Sequence, residues 1–391
     1  MRRFFIGLAA GSVAAYTLVR TAQALRELRR PSAALEPNPQ AYGGLRRALM
    51  LTGMARSLAT IATWAFAIGP LVESDSAREP RARRVALLAT AIVASALLDL
   101  PVDYVEDFTL ERRYGLSKQD DRSWFADQLK GTGVALAITL GLVELLASAI
   151  ERAPRAWPAF ATAASFPLLI LANVVAPMFI APLFNKFEPV EGDMATQIRE
   201  LAGHYGASDA KILRVDMSRQ TEKANAYVTG LFGSKRIVIG DTLLERFEPA
   251  ETRFVVAHEL GHYVNRDVWR GVTLGTLAAA FVFFTGRQIA ERPGRPLSSA
   301  TGLGRLFFGL SLTGMLAGPP LAAFSRGRER AADTFAIDAT GDAAAGAAAF
   351  KRLRDRNLAE DEQPRWMELL FSSHPSLRSR IERLQAVNAA R

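Results

Sequence analysis

The apolar residues of this 391-residue chain are gathered into seven long blocks, and no other feature constrains its fold as strongly. A helix of roughly 20 apolar residues can cross a bilayer. The blocks therefore predict a multi-spanning α-helical membrane protein with about seven transmembrane helices. An alternative for the shorter blocks is buried helices of a soluble protein. The predicted spans are Phe4–Val19, Ala48–Val72, Val85–Leu100, Thr132–Ile150, Trp157–Leu183, Val272–Thr285 and Leu306–Phe324.

The first block has two interpretations. Arg2 and Arg3 precede it, and the tripeptide Ala22–Ala24 resembles a signal-peptidase site. The length of the apolar run and the charge of Arg20 favour an uncleaved membrane anchor instead. With this anchor, residues 1–183 are predicted to form an N-terminal membrane domain of five spans.

The charge and cysteine content exclude several classes of protein. The net charge is +9, but arginines cluster at the ends of the apolar blocks, where they suit anionic lipid headgroups better than a nucleic acid. The predicted partners are thus a lipid bilayer and no nucleic acid, and the predicted location is a bacterial cytoplasmic membrane. The absence of cysteine excludes disulfides, thiolate metal ligands and a cysteine nucleophile.

Three ionisable residues lie within predicted spans: Arg56, Asp99 and Glu144. Charges inside a bilayer are costly, so they normally face the interior of a helix bundle or a water-filled space. Asp99 lies close enough to a span end to reach the interface instead. Arg56 and Glu144 favour a polar interior, which suits a bundle that encloses a chamber.

The polar regions predict a second unit with both helices and strands. Residues 184–391 are predicted to form an α+β domain interrupted by two spans, at about 272–285 and 306–324. A hairpin with Gly233 in its turn is expected between the second and third predicted strands. The predicted strands are Lys211–Ser218, Asn225–Gly230 and Lys235–Gly240, and the predicted helices are Pro249–Val268, Arg326–Ala339 and Leu377–Ala390.

The segment "VVAHELGH" within the first of these helices predicts a metal site. His258 and His262 are four residues apart, so both imidazoles lie on one helix face with Glu259 beside them. Catalytic zinc takes three protein ligands and keeps one position for a water, whose pKa it lowers. The pattern therefore predicts one zinc ion per chain, with Glu259 as the general base that accepts the proton of this water.

A third ligand is expected from the helix that follows the last span. Glu329 and Asp333 are again four residues apart, so Glu329 can complete a His-His-Glu site while Asp333 accepts a hydrogen bond from a ligand histidine. The alternative is a solvated helix face with neighbouring arginines as partners, namely Arg326, Arg328 and Arg330.

With these motifs the chain resembles the type I CAAX prenyl proteases. These are integral-membrane zinc metalloendopeptidases of the HExxH type, and they include the a-factor-converting enzymes of fungi. The resemblance extends from about residue 100 to the C-terminus. It implies a zincin-like metalloprotease domain beside a bundle of seven spans around a hydrated chamber. The matching stretches are "ERRYGLSKQD" (Glu111–Asp120), "PLFNKFEPVEG" (Pro182–Gly192), "NAYVTG" (Asn225–Gly230), "VVAHELGH" (Val255–His262), "SRGRERAADTFA" (Ser325–Ala336) and "SSHPSLRSRIERL" (Ser372–Leu384).

The resemblance also implies where a peptide would bind. An extended peptide can pair with an exposed strand edge, and the strand that contains Asn225, Ala226 and Tyr227 corresponds to the one the family uses. His374 is a candidate donor to the oxyanion, with a structural histidine that caps the last helix as the alternative. Arg380 is a candidate clamp for an anion or a carboxylate.

The sequence therefore predicts a zinc endopeptidase embedded in a membrane, acting on a peptide or protein with or without a lipid. An HtpX-like quality-control protease is one alternative, although the long N-terminal membrane region argues against it. A catalytically idle zinc-binding scaffold is the other alternative, and it would have no need for Glu259.

Overall fold

The computed structural model describes residues 37–72, 80–292 and 296–390. The predicted span Phe4–Val19 and the candidate cleavage site at Ala22–Ala24 lie outside these described residues. Within them, six helices are long and apolar enough to cross a membrane, and they contain the other six predicted spans. These helices are α1 (Pro39–Val72), α2 (Arg81–Arg113), α3 (Asp121–Arg152), α4 (Trp157–Leu183), α8 (Asp267–Ala290) and α9 (Ala300–Thr340). The prediction of a multi-spanning helical protein is confirmed.

The ionisable residues of the spans are paired with charges on neighbouring helices. Arg56 Nε lies 2.7 Å from Oδ1 of Asp99, so this ion pair joins two of the helices. The carboxylate of Glu144 accepts two hydrogen bonds from Arg84, at 2.9 and 3.0 Å. Pairing of this kind offsets the cost of removing charges from water, and it supports the predicted polar interior.

A small four-stranded sheet lies between α4 and α8 in the sequence. Its strand order is β1–β2–β4–β3, which leaves β3 at one edge. β2 and β4 are parallel, whereas β1 and β3 pair antiparallel with β2 and β4 respectively. The strands are β1 (Phe187–Pro189), β2 (Lys211–Val215), β3 (Ala226–Thr229) and β4 (Arg236–Gly240).

The predicted hairpin is present, but the glycine that its turn needs is a different one. Gly230 has φ +88°, and a Cβ there would lie 2.2 Å from the backbone oxygen of Ser234. A cramped position with positive φ requires glycine. Gly233 lies in the turn between β3 and β4 as predicted, but a Cβ there would have no neighbour within 4 Å. The turn therefore contains Gly233 but depends on Gly230.

Six further helices complete the described fold: α5 (Gly192–His204), α6 (Asp241–Arg246), α7 (Pro249–Val264), α10 (Ala343–Arg356), α11 (Arg365–Phe371) and α12 (Leu377–Ala389). α7 begins at Pro249 as predicted, with Glu251 bonding back to the backbone N–H of Glu248. It ends at Val264 rather than Val268, because Arg266 adopts a left-handed conformation with φ +56°.

Helix α7 runs through the centre of the apolar core. Phe254, Val256, Ala257 and Leu260 are completely buried. Burial on this scale stabilises a helix far more than its intrinsic propensity does. Gly261 allows close approach to α9, since a Cβ there would lie 3.1 Å from Cα of Ala332. The two helices that carry the predicted metal ligands are thereby held in contact.

Candidate metal centre

A cavity of about 720 Å³ opens between α1 and the helices α7, α10, α11 and α12. His258, Glu259 and Glu329 contribute to its lining, together with residues of α1, α10 and α12. The structure thus brings two of the three predicted ligands and the predicted base to the wall of one cavity.

The predicted ligand atoms converge on one point. Nε2 of His258 lies 3.4 Å from Oε2 of Glu329, and Nε2 of His262 lies 3.4 Å from Oε1 of the same carboxylate. One ligand atom from each residue falls within 4.8 Å of the others. His258 and His262 are on α7 and Glu329 is on α9, so the contact at Gly261 sets the spacing of the group.

Two carboxylates orient the imidazoles. Nδ1 of His258 lies 2.9 Å from Oδ1 of Asp333, and Nδ1 of His262 lies 2.9 Å from Oδ2 of Asp267. A carboxylate at Nδ1 keeps the proton on that nitrogen and leaves Nε2 free as a ligand. Both histidines therefore present Nε2 to the same space.

Sequence spacing alone does not predict the contact of Asp267 with His262. Five residues after His262, Asp267 would lie off the face of a continuous helix. The helix breaks at Arg266, however, and the chain turns so that Asp267 starts α8 beside His262. The sequence shows a carboxylate just beyond the HExxH helix. Only the break at Arg266 brings this carboxylate to Nδ1 of His262.

Arginines hold these two carboxylates in turn. Arg380 donates to both oxygens of Asp333, at 3.0 Å from Nε and 2.6 Å from Nη2. Arg328 Nε donates to Asp267 at 2.6 Å. Arg380 is buried and its guanidinium lies 4.0 Å from the ring centre of Phe350.

The burial of Glu329 and the contacts of Arg380 test two expectations from the sequence. The alternative of a solvated helix face for Glu329 is wrong, since Glu329 is 5 % exposed. Arg326, one of its supposed partners, donates to the carbonyls of Glu368 and Ser372 instead. The predicted use of Arg380 as a substrate clamp remains a prediction that this geometry does not favour, because its guanidinium is engaged by Asp333.

Glu259 lies where the predicted base is needed. Its Oε1 is 4.0 Å from Nε2 of His258, and its side chain borders the cavity. Burial raises the pKa of Glu259 above its usual range, which brings it closer to neutrality. Burial lowers the pKa of His258, but the adjacent carboxylates of Asp333 and Glu329 outweigh this and raise it to about 9.

His374 reaches the same group from the loop between α11 and α12. Its Nε2 lies 3.3 Å from Oε1 of Glu329, and its Nδ1 lies 2.8 Å from the hydroxyl of Ser373. The side chain is 60 % exposed, so it is accessible from the cavity. A hydroxyl that donates to Nδ1 would leave the proton on Nε2, where it could be donated in turn.

The edge strand begins at the cavity. Asn225 and Ala226 line it, whereas Tyr227 is not among its lining residues. Since β3 pairs only with β4, its other edge has no strand partner among the described residues. The edge has the arrangement expected of a strand that pairs with an extended peptide.

Comparison with known families adds independent information. The model described as Peptidase family M48 matches residues 189–388, which is more than half of the chain. The chain belongs to peptidase family M48. A second model, described as CAAX prenyl protease N-terminal, five membrane helices, matches residues 46–186 of this M48 peptidase.

Relatives and a solved structure resemble this M48 peptidase over most of its length. It is 29 % identical to the uncharacterized metalloprotease YhfN of Bacillus subtilis over 298 residues, covering 74 % of this chain and 70 % of YhfN. It is 31 % identical to a rice CAAX prenyl protease 1 homolog, covering 78 % and 73 % of the two chains. The crystal structure of S. mikatae Ste24p shares the fold, with a TM-score of 0.74 at 23 % identity over 96 % of this chain and 98 % of the other.

Membership of M48 makes this protein a metallopeptidase, whose substrate is a peptide or protein. Its membrane helices make it an integral multi-pass membrane protein. The described residues fit a metal ion. Oε2 of Glu329 is buried without a hydrogen-bond partner among them, although Nε2 of His258 lies 3.4 Å from it and Nη1 of Arg380 lies 3.5 Å from it. A buried carboxylate oxygen is costly when left unsatisfied, and a cation in this place would satisfy it.

Proposed function

We propose that this M48 metallopeptidase is a zinc-dependent endopeptidase that cleaves a peptide bond in the cavity beside α7. The observation that carries the proposal is the convergence of His258 Nε2, His262 Nε2 and the Glu329 carboxylate, with a second carboxylate at Nδ1 of each histidine. Two imidazoles and one carboxylate form a ligand set typical of catalytic zinc.

The proposed zinc ligands are His258, His262 and Glu329. When bound, zinc would polarise the substrate carbonyl and lower the pKa of a water to near neutrality. Asp333 and Asp267 keep the two imidazoles in the tautomer that exposes Nε2. Arg380 is assigned to holding Asp333 in place, which replaces its predicted role as a substrate clamp.

Glu259 is the proposed general base. Its carboxylate accepts the proton of the attacking water and then delivers it to the departing amine nitrogen. The raised pKa of Glu259 suits this transfer, because a carboxylate with a higher pKa is a stronger base.

His374 and β3 are the proposed contacts of the substrate. Nε2–H of His374, fixed by Ser373 at Nδ1, would donate to the oxygen that gains charge in the transition state. The free edge of β3, which starts at Ala226 next to Asn225 in the cavity wall, would pair with an extended peptide, and Tyr227 would continue the strand away from the cavity.

The names of several relatives make a prenylated peptide the first substrate class to test. The rice and yeast relatives are named CAAX prenyl protease 1 homolog and CAAX prenyl protease 1. A lipidated substrate would reach the cavity from the bilayer, since α1 is both a candidate span and part of the cavity wall. A bacterial cytoplasmic membrane is the proposed location.

A quenched peptide, prepared with and without a farnesyl group, tests the proposal. We expect purified protein to cleave it, chelation to abolish cleavage, and added zinc to restore it. Cleavage that persists after chelation would refute the metal mechanism. Equal cleavage of both peptides would remove the lipid preference and leave the peptidase intact.

Single substitutions complete this test. His262→Ala should lower bound zinc and activity together, because it removes a ligand. His204→Ala is the matched control, since His204 is exposed at the end of α5 and should leave both unchanged. Equal zinc content in the two variants would refute the proposed ligand set.

A further inference from the structure

The motif Glu111–Asp120 contributes no residue to the metal centre, yet it contacts the chain directly before the proposed substrate strand. The motif lies at the end of α2 and in the loop that follows. Its partner is the segment 220–224, which leads into β3. The distance along the chain is about a hundred residues, so the contact joins the membrane helices to the peptidase region.

Hydrogen bonds between the two segments are closely spaced. The hydroxyl of Ser117 donates to the carbonyl of Gln220 at 2.5 Å. The carbonyl of Leu116 accepts both the hydroxyl of Thr221, at 3.0 Å, and the backbone N–H of Glu222, at 2.8 Å. Three bonds within three residues fix the path of the segment before it reaches β3.

A partly buried ion pair extends this contact to the next residue. Nζ of Lys223 lies 2.8 Å from Oε2 of Glu111 and donates to the hydroxyl of Tyr42 at 2.9 Å. Tyr42 donates its own proton to the other oxygen of Glu111. Glu111 is 9 % exposed and Tyr42 6 % exposed, and Tyr42 also lines the cavity. These contacts fix the position of Lys223, one residue before Ala224.

Asn357 takes up the last backbone groups before the strand edge. Its Oδ1 accepts the N–H of Ala224 at 2.9 Å, and its Nδ2 donates to the carbonyl of Ala224 at 3.3 Å. The side-chain amide thus occupies both groups with which a peptide could pair at this residue. The carbonyl of Asn225 accepts the N–H of Gly240 on β4 at 2.9 Å, so the free edge starts at the following residue, Ala226.

We propose that Glu111 is a positioning residue for peptide binding, and that through Lys223 it fixes where the substrate-pairing edge of β3 begins. This inference rests on the proposed role of β3. A peptide that pairs with a fixed edge loses less free energy to ordering than one that must first order the edge. Glu111 therefore acts on the binding of the peptide rather than on the chemical step.

Glu111→Gln tests the proposal, because it removes the charge and keeps the size of the side chain. We expect KM for the cleaved peptide to rise by about fivefold or more, as is usual for residues coupled by direct contact, while kcat changes by less than about twofold. Backbone amides of residues 224–229 should exchange hydrogen faster, and those of α7 should not.

The matched control is Asp209→Asn. Asp209 pairs with Lys235 at 2.8 Å, the same distance as in the Glu111 pair, but at the opposite end of the hairpin. We expect this variant to leave both KM and the exchange of residues 224–229 unchanged. If Glu111→Gln matches this control in both measurements, the proposal is refuted.

A second variant covers the case in which Glu111→Gln does not fold. Asn357→Leu removes both bonds to Ala224 and should produce the same rise in KM and in exchange; unchanged values would overturn the proposed anchoring of the edge. Absence of cleavage by the unsubstituted protein would instead refute the proposed function. The exchange comparison would still decide whether Glu111 holds the edge.

Discussion

Replacement of Asp333 by asparagine tests the proposed metal centre most directly. Asp333 is 2 % exposed and accepts three hydrogen bonds, one from Nδ1 of His258 and two from Arg380. Asparagine has the same shape but only one acceptor oxygen. Its NH2 group would face a donor on either His258 or Arg380, so at least one of the three bonds is lost.

The expected magnitude follows from these contacts. Loss of the carboxylate that orients a ligand histidine typically lowers metal affinity 10- to 100-fold, or about 1.4 to 2.7 kcal/mol. The substitution also leaves the buried charge of Arg380 without its main partner, which costs about 3 kcal/mol of folding stability. Two contacts of Arg380 remain, with Glu329 at 3.5 Å and with the ring of Phe350, and they keep this cost at the lower end of the usual range.

Two measurements check the prediction. Competition with a chelator of known affinity gives the zinc dissociation constant of each variant, and thermal unfolding of the metal-free protein in detergent gives the change in Tm. Asp338→Asn is the matched control, since Asp338 lies on the same helix but is exposed. If Asp333→Asn binds zinc within about twofold of the unsubstituted protein, the reasoning about His258 is wrong.

Three other outcomes are expected. Glu259→Gln should lower kcat at least about a hundredfold with zinc content unchanged, because Glu259 moves a proton and is not a ligand; a parallel loss of zinc would contradict this. Gly261→Ala should lower Tm, since the new Cβ would lie 3.1 Å from Cα of Ala332, whereas Gly203→Ala, with nothing within 4 Å, should not. Zinc affinity should fall as pH drops below about 9, the pKa of His258 in the metal-free protein, because a proton must then leave His258 before the metal binds. Titration with buffered zinc measures this, and an affinity independent of pH between 6 and 8 would contradict it.

The core of the metal centre could be predicted from the sequence because it depends on helix periodicity. His258 and His262 share a helix face by spacing alone, and Glu329 and Asp333 do the same on α9. Asp267 could not be predicted in this way, since its role depends on the left-handed conformation of Arg266. Helix periodicity does not predict contacts of residues beyond the end of the helix.

The surroundings of the centre depend on contacts between distant parts of the chain. Arg380 meets Asp333 across 47 residues, and Lys223 meets the hydroxyl of Tyr42 across 181. Periodicity carries no information about such pairs. β1 was not predicted because it has only three residues, too few to show alternation. The division at residues 183 and 184 into a membrane domain and a peptidase domain stays a prediction.

Helix α9 combines a candidate span and two residues of the metal centre in 41 consecutive residues. Its predicted apolar stretch ends at Phe324, so the backbone of Glu329 lies about 8 Å farther along the helix axis, at 1.5 Å per residue. On the proposed function, this helix fixes the distance between the metal centre and the end of the membrane span. An extended chain covers such a distance in about two or three residues. If the substrate carries a lipid as proposed, cleavage is expected within a few residues of the lipid anchor, whatever the sequence farther away.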